Sequence, residues 1–241
     1  MIPFLSLKDV TELHGAEING AVNRVVNKLM IVAHPDDETI WGGGNLSLSH
    51  DWLVVCVTYN ENDEPRGKEF CEVIKKTGNV GIMLGFPDVN NGRLDRWINS
   101  KPLIKDKLCK IIDSKEWDMI VTHNPDGEYS HLHHILISDI VTAITTKNLF
   151  YFGKYCERNE SAIGDLPKLG VEAVKKKKEL MTIYQSQGVS ASAFEHMYPY
   201  EFFIPCAEWK YYKKTFIKKW RSKIVKAITE IFRKIKWHLI H

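Results

Sequence analysis

The sequence predicts an α/β fold in which a mostly parallel β-sheet carries helices on both faces. Three observations support this prediction. Short apolar runs alternate with predicted helices between residues 27 and 184. Two of these runs end in turns that begin with histidine. The length of 241 residues and the hydrophobic content of 44% suit an ordinary globular protein with one large domain.

The apolar runs are typical of strands that are buried on both faces of a parallel sheet. The first run, N-K-L-M-I-V-A, ends at His34, and the fourth, D-M-I-V-T, ends at His123. In chain order, the predicted strands are Asn27–Ala33, Trp52–Thr58, Val80–Phe86, Asp118–Thr122 and Leu149–Phe152.

Predicted helices follow most of these strands, and the first begins after Pro35 and the acidic residues behind it. Strand–helix alternation favours right-handed crossovers and a Rossmann-like sheet. In such sheets ligands bind at the carboxyl ends of the strands, so His34 and His123 are expected on one rim. In chain order, the predicted helices cover about Glu38–Ser49, Lys68–Gly78, Asp95–Ile112, His131–Thr146 and Leu169–Tyr184.

Composition indicates a cytoplasmic protein. The five cysteines are odd in number and lack C-x-x-C spacing, which favours free thiols in a reducing compartment. The N-terminus lacks the basic and apolar regions of a signal peptide. No window reaches the roughly 18 uncharged apolar residues that a membrane span needs.

Charge divides the chain into a predicted domain over residues 1–209 and a basic segment over residues 210–241. The segment has eleven Lys/Arg and one acid, a net +10, which leaves −7 for the rest of a chain of net charge +3. Its apolar residues recur at three- and four-residue steps, which predicts an amphipathic helix. The stripe consists of Ile217, Trp220, Ile224, Ile228, Ile231, Ile235 and Leu239.

A basic amphipathic helix favours an anionic membrane surface, here the inner face of the membrane, as a partner. Packing of the stripe on the domain or on a second subunit is the alternative. Nucleic acid is disfavoured because the body is acidic and has no recognition motif. The sequence leaves the oligomeric state open.

Two motifs carry residues suited to chemistry. One is A-H-P-D-D-E over residues 33–38, and the other is H-N-P-D-G-E-Y-S-H-L-H-H over residues 123–134. A zinc hydrolase needs about three N/O ligands, a base and donors for an oxyanion. His34 and Asp37 can share one ion, and Asp36 beside them is a candidate base. Either motif alone is also compatible with a polar helix start.

Together the motifs resemble the PIG-L / LmbE-like family of N-acetylglucosaminyl deacetylases, with similarity over roughly Lys28–Gln187. The resemblance implies that His34, Asp37 and His134 hold Zn²⁺, and Fe²⁺ would suit the same ligands. It further implies that Asp36 is the general base. His131 would stabilise the tetrahedral intermediate or protonate the leaving amine, with help from Tyr129.

Weaker matches suggest a substrate-binding role for Arg66 and Asp88. Arg66 with Glu69 could instead be a helix-surface pair, and Asp88 could only shape a turn. Relatives commonly have Asp where this chain has His133, which suggests a less basic His131 or support of His131 by Glu128 or Asp126. Residues 184–187 resemble a family Y-x-S-Q element near the pocket.

The sequence therefore predicts removal of acetate from an amino-sugar conjugate, which could be a lipid-linked or envelope glycan precursor. The alternatives are hydrolysis of another amide and a non-catalytic sugar- or nucleotide-binding module on the same fold.

Overall fold

The computed structural model describes residues 26–213, except for the side chains of residues 161 and 189–191. The strands are β1 (Lys28–Val32), β2 (Trp52–Thr58), β3 (Val80–Phe86), β4 (Val89–Asn90), β5 (Arg93–Leu94), β6 (Met119–Thr122), β7 (Leu149–Phe152) and β8 (Phe203–Pro205). The helices are α1 (Asp37–Leu48), α2 (Arg66–Thr77), α3 (Lys101–Ile112), α4 (Gly127–Ser130), α5 (Leu132–Ile144), α6 (Val171–Met181) and α7 (Gly188–Phe194).

Six strands form the main sheet in the order β3-β2-β1-β6-β7-β8. All neighbouring pairs are parallel except β7 and β8, which are antiparallel. The predicted mostly parallel α/β sheet is confirmed, and the antiparallel edge strand β8 was not predicted. The chain moves outwards from β1 to β3 and then returns to the other side of β1 as β6, so a topological switch point lies between β1 and β6.

The sheet separates two hydrophobic cores, because side chains alternate between its faces along each strand. Leu29 and Ile31 of β1 belong to one core, where α3 and α5 pack. Met30 and Val32 belong to the other core, which contains residues of α1, α2 and α6. The helices on both faces agree with the prediction.

The third predicted helix was wrong at its start, because α3 begins at Lys101 and not at Asp95. Pro102 in the first turn of α3 is a typical start signal. Trp97 has a φ of 51°, a left-handed value that is incompatible with a continuous helix. The loop between β3 and α3 also contains the small hairpin of β4 and β5.

Two glycines of α1 allow close packing, one against β1 and one against the segment that precedes α6. A Cβ atom at Gly42 would lie 2.4 Å from Met30 Cε, and one at Gly44 would lie 2.6 Å from Leu169 Cδ1. The five cysteines are free thiols.

Among the helices of residues 26–213, none is long and apolar enough to cross a membrane. The predicted apolar stripe of the basic segment, from Ile217 to Leu239, lies outside the described residues. Of that segment the structure describes residues 210–213, where Lys213 Nζ donates to Asp126 Oδ1 over 2.7 Å.

Candidate metal centre

The turns that follow β1 and β6 meet at the switch point of the sheet. Pairing of Ile31 with Thr122 brings His34 and His123 to the same rim. A cavity of about 140 Å³ opens between these turns. It is lined by His34, Asp36, Asp37, Ile40, Trp41, Arg66, Asp88, Tyr129, His131, Gln187 and Phe194.

The turn after β1 is held by its own acidic side chains. The backbone N–H of His34 donates to Asp37 Oδ2 over 2.8 Å, and that of Asp36 donates to Glu38 Oε2 over 3.1 Å. Asp36 has a φ of 115°, a strained value for a residue with a side chain. Glu38 is buried and accepts a 2.6 Å hydrogen bond from the Tyr184 hydroxyl. This hydrogen bond ties the predicted Y-x-S-Q element to the turn.

The three predicted metal ligands converge. His34 Nδ1 lies 3.2 Å from Asp37 Oδ2, and His134 Nε2 lies 3.3 Å from Asp37 Oδ1. Ligand atoms of His34 and His134 also belong to one group, with His131, whose atoms all lie within 4.8 Å of one another. All three side chains are buried. The site thus offers two imidazoles and a carboxylate, a donor set that suits zinc or ferrous iron.

The environment of His134 fits a cation at this point. Its Nδ1 donates to Glu128 Oε2 over 2.6 Å, which leaves the Nε2 lone pair of the neutral ring free. This Nε2 is buried, has no hydrogen-bond partner among the described residues, and faces an oxygen of Asp37. A lone pair and a carboxylate oxygen repel each other unless a positive charge, either a proton or a metal ion, lies between them. The residues present therefore fit a metal ion.

Glu128 orients two histidines of the site through hydrogen bonds. Its Oε2 accepts from Nδ1 of both His123 and His134, and its Oε1 accepts from the backbone N–H of Asn124. His123 Nε2 lies 3.4 Å from Asp37 Oδ2, but it accepts the backbone N–H of Ala33 over 3.0 Å. Because that hydrogen bond uses its lone pair, His123 is better suited to support Asp37 than to bind metal.

Asp36 lies beside the candidate metal ligands and lines the cavity. Burial and the neighbouring Asp37 carboxylate raise the pKa of Asp36 to about 8, against the opposing effect of Arg66. A carboxylate with a raised pKa is a better proton acceptor than an ordinary aspartate. Asp36 therefore offers the cavity a buried carboxylate with a raised affinity for a proton.

Arg66 and Asp88 form a polar wall of the cavity beside His34. Arg66 Nη2 donates to the Pro35 carbonyl over 2.8 Å and lies 3.4 Å from Asp36 Oδ1, and its Nη1 lies 3.4 Å from Asp88 Oδ2. Burial would raise the pKa of Asp88, but His34 and Arg66 hold it at about 2. Both residues thus present polar groups to the cavity, whereas Glu69 accepts the backbone N–H of Ser186 over 2.9 Å.

His131 and Tyr129 line the cavity on the side of the second turn. Burial and the nearby His134 and His34 lower the pKa of His131 to about 3, so its ring is neutral. Its Nδ1 is buried without a hydrogen-bond partner among residues 26–213. Support of His131 by an acid was one of two alternatives, and it is not found among residues 26–213, because Glu128 holds His123 and His134 and Asp126 pairs with Lys213. The lowered pKa agrees with the other alternative, a less basic His131.

Sequence reasoning also missed the surroundings of His133. The ring of His133 is fully buried and stacks on Trp97 at 3.8 Å with an interplanar angle of 1°. Its Nδ1 lies 2.9 Å from His34 Nε2, and its Nε2 bonds the backbone carbonyl of Asp95. The orienting role of Glu128 could have been sought in the motif, whereas a backbone carbonyl from a distant loop leaves no signal in the sequence.

Comparison with known proteins identifies similar sequences and a similar fold. Residues 29–145 match the family model described as PIG-L, GlcNAc-PI de-N-acetylase. An uncharacterized protein, L374, of Acanthamoeba polyphaga mimivirus is 29% identical over 146 residues, which cover 56% of this chain and 65% of that protein.

A 1D-myo-inositol 2-acetamido-2-deoxy-alpha-D-glucopyranoside deacetylase of Corynebacterium diphtheriae is 26% identical over 147 residues, or 46% of this chain and 50% of that enzyme. The enzyme of the same description from Mycobacterium sp. (strain JLS) is 25% identical over 181 residues, covering 60% of this chain and 59% of that enzyme. The chain thus spans between half and two thirds of the length of these curated relatives.

Among solved structures, the conserved protein TT1542 from Thermus thermophilus shares the fold. Its TM-score is 0.53 at 19% sequence identity, over 76% of this chain and 95% of that protein. Residues 29–145 therefore form a domain of the PIG-L / LmbE-like family.

Proposed function

We propose that this chain is a metal-dependent N-deacetylase that removes the acetyl group from an N-acetylglucosamine-type conjugate and releases acetate. The observation that carries the proposal is that Asp37 contacts both His34 and His134, at a cavity that His34, Asp37 and the neighbouring Asp36 line. A binding module would not need a buried proton acceptor next to a metal site. Zn²⁺ is the ion we propose, and Fe²⁺ suits the same donors.

Bound by His34, Asp37 and His134, the metal would acidify a water molecule and polarise the acetamide carbonyl. Asp36 takes the proton of the attacking water, and its strained turn holds the carboxylate towards the cavity. Arg66 lies 3.4 Å from Asp36 and fixes the orientation of that carboxylate.

Residues of the turn that follows β6 act on the carbonyl oxygen and the nitrogen of the amide. His131 and Tyr129 donate hydrogen bonds to the oxygen on which negative charge develops. The proton that Asp36 has accepted then passes to the departing nitrogen, directly or through His131, so that acetate and a free amine leave. The neutral ring of His131 can both donate and accept a proton during this exchange.

The proposed substrate class follows from the wall of the cavity and from the relatives. Arg66 and Asp88 offer a cation and a carboxylate that can bond sugar hydroxyls. Two relatives are named for the deacetylation of a 2-acetamido-2-deoxy-glucopyranoside joined to myo-inositol. We propose a 2-acetamido-2-deoxy-glucoside, with the group attached to the sugar left open to the test.

The test is acetate release from a panel of N-acetylglucosamine conjugates, both soluble and lipid-linked, by protein loaded with Zn²⁺ or Fe²⁺. We expect release from at least one conjugate and loss of release after chelation. Release from simple acylated amines but from no sugar would favour a different amide hydrolase. Stoichiometric metal with no release from any substrate would contradict the proposal.

A peripheral membrane location remains a separate proposal that rests on the sequence of residues 217–239. Removing the residues after Phe216 should abolish binding to vesicles that contain anionic lipid. Equal binding of the full and shortened chains would exclude this segment as a membrane anchor.

A further inference from the structure

Each ring nitrogen of His133 can be assigned as a hydrogen-bond donor or acceptor from its partner. A carbonyl oxygen can only accept, so the bond to the Asp95 carbonyl requires a proton on His133 Nε2. In a neutral imidazole the other nitrogen then carries a lone pair. His133 Nδ1, 2.9 Å from His34 Nε2, is therefore the acceptor, and the proton between the two rings belongs to His34.

The second neighbour of His34 Nε2 requires the same proton. Asp88 Oδ1 lies 3.4 Å from this nitrogen, and a carboxylate oxygen accepts. With its proton on Nε2, His34 turns the lone pair of Nδ1 towards Asp37 Oδ2, 3.2 Å away. That is the side on which the proposed metal site lies. In this tautomer the contact is not a hydrogen bond, and a cation between the two atoms would satisfy both.

The surroundings hold this arrangement in place. Trp97 covers one face of the His133 ring. The Trp97 indole N–H donates to the Pro87 carbonyl over 2.8 Å, and the backbone N–H of Asp95 donates to the Asp88 carbonyl over 2.9 Å. The Asp95 carbonyl is thus anchored to the same loop that carries Asp88. His133 has no hydrogen bond to His131 among the described residues.

We propose that His133 is a positioning residue that fixes His34 in the tautomer offering Nδ1 to the metal. The hydrogen bond to the Asp95 backbone carbonyl sets the tautomer of His133 itself. The inference rests on the proposed metal site and deepens it. It gives His133 a role towards a metal ligand instead of towards His131. Partners of this kind typically change metal affinity 10- to 100-fold.

The test compares the Zn²⁺ dissociation constants of the wild-type chain and three variants by competition with a chromophoric chelator. His133→Phe keeps a flat ring against Trp97 but removes both nitrogens, and we expect its affinity to fall about 10- to 100-fold. His133→Asn keeps an acceptor for His34 and should recover part of that loss. His196→Phe is the matched control with unchanged affinity, because it removes a similar 2.8 Å bond to the Cys156 carbonyl outside the cavity.

A second measurement needs no variant. Nitrogen-15 NMR of histidine-labelled wild-type protein should show the proton of His34 on Nε2 in the zinc-loaded form. A proton on Nδ1 would overturn the inference, as would a His133→Phe affinity within about twofold of wild type. Two Zn²⁺ per chain, one of them lost in His133→Phe, would also overturn it, because His133 would then be a ligand.

These outcomes separate the two proposals. Wild-type protein that binds one Zn²⁺ with the expected His133 dependence, yet releases no acetate, contradicts the proposed function alone. Acetate release that is metal-dependent but accompanied by wild-type affinity in His133→Phe contradicts the inference alone.

Discussion

Two buried charged clusters contact opposite parts of α1, and they differ in how their polar atoms are satisfied. Near the C-terminal end of α1, Glu201 accepts from Lys177 Nζ over 2.9 Å and from the backbone N–H groups of Gly44 and Asn45. Neither Glu201 nor Lys177 has a buried atom without a partner among residues 26–213. The pair is fully enclosed, with both side chains 0% exposed.

At the N-terminal end of α1 the opposite holds. His134 Nε2 and His131 Nδ1 are buried without hydrogen bonds in the described part of the chain, and Asp36 has a strained backbone. Unsatisfied buried groups and strain are costly, and they persist where another requirement outweighs stability. The contrast separates a cluster that stabilises the fold from the cluster that we propose to bind a metal ion and a substrate.

The largest effect is expected from His134→Ala, which removes one of three proposed metal ligands. The variant should lose both bound metal and detectable acetate release, while its circular dichroism stays that of a folded protein. Metal content per chain, measured by plasma mass spectrometry, checks the first part. A matched control is His50→Ala, since His50 bonds the Thr77 carbonyl away from the cavity. Full metal content in His134→Ala would remove it from the ligand set.

The variant Asp36→Asn should distinguish the role of the proposed base from that of the proposed metal ligands. The amide keeps the shape of the side chain but cannot accept the proton of water, so turnover should fall about 10²- to 10⁴-fold. Metal content should stay at the wild-type value. Steady-state acetate release with the best substrate of the panel is the measurement, and turnover near wild type would show that another group is the base.

Lys177→Met tests the other cluster. Loss of the ammonium leaves the Glu201 carboxylate buried without its counter-charge, which should lower the free energy of unfolding by about 3–5 kcal/mol. The double variant Lys177→Met/Glu201→Gln should recover much of that loss because no isolated charge remains. Urea unfolding measures both. Turnover per folded molecule should stay near wild type. A loss of turnover without a loss of stability would show that the Lys177–Glu201 pair also contributes to activity.

Removal of the metal should have the smallest effect on stability. A ligand present at 100 times its dissociation constant stabilises the folded state by about 2.7 kcal/mol. Chelation should therefore lower the thermal midpoint of the wild-type chain, as measured by scanning calorimetry. The same treatment should leave His134→Ala unchanged, and an equal shift in that variant would place the stabilising ion elsewhere.

The sequence by itself determined the layers of the fold and the side chains of the centre. Apolar runs with turn residues between them are local patterns, and they located β1, β2, β3, β6 and β7 within a residue or two. Two motifs at strand ends are enough to bring His34 and the second motif to one rim, because the carboxyl ends of parallel strands share an edge.

Only the tertiary structure decided which partner each polar group takes. Glu128 lies close to His131 in the motif, yet its φ of 52° turns it towards His123 and His134. The Asp95 carbonyl reaches His133 because the chain before α3 is not helical. Such choices depend on strand register and on backbone atoms from distant segments, and every residue type carries the same carbonyl. A local sequence pattern therefore cannot encode them.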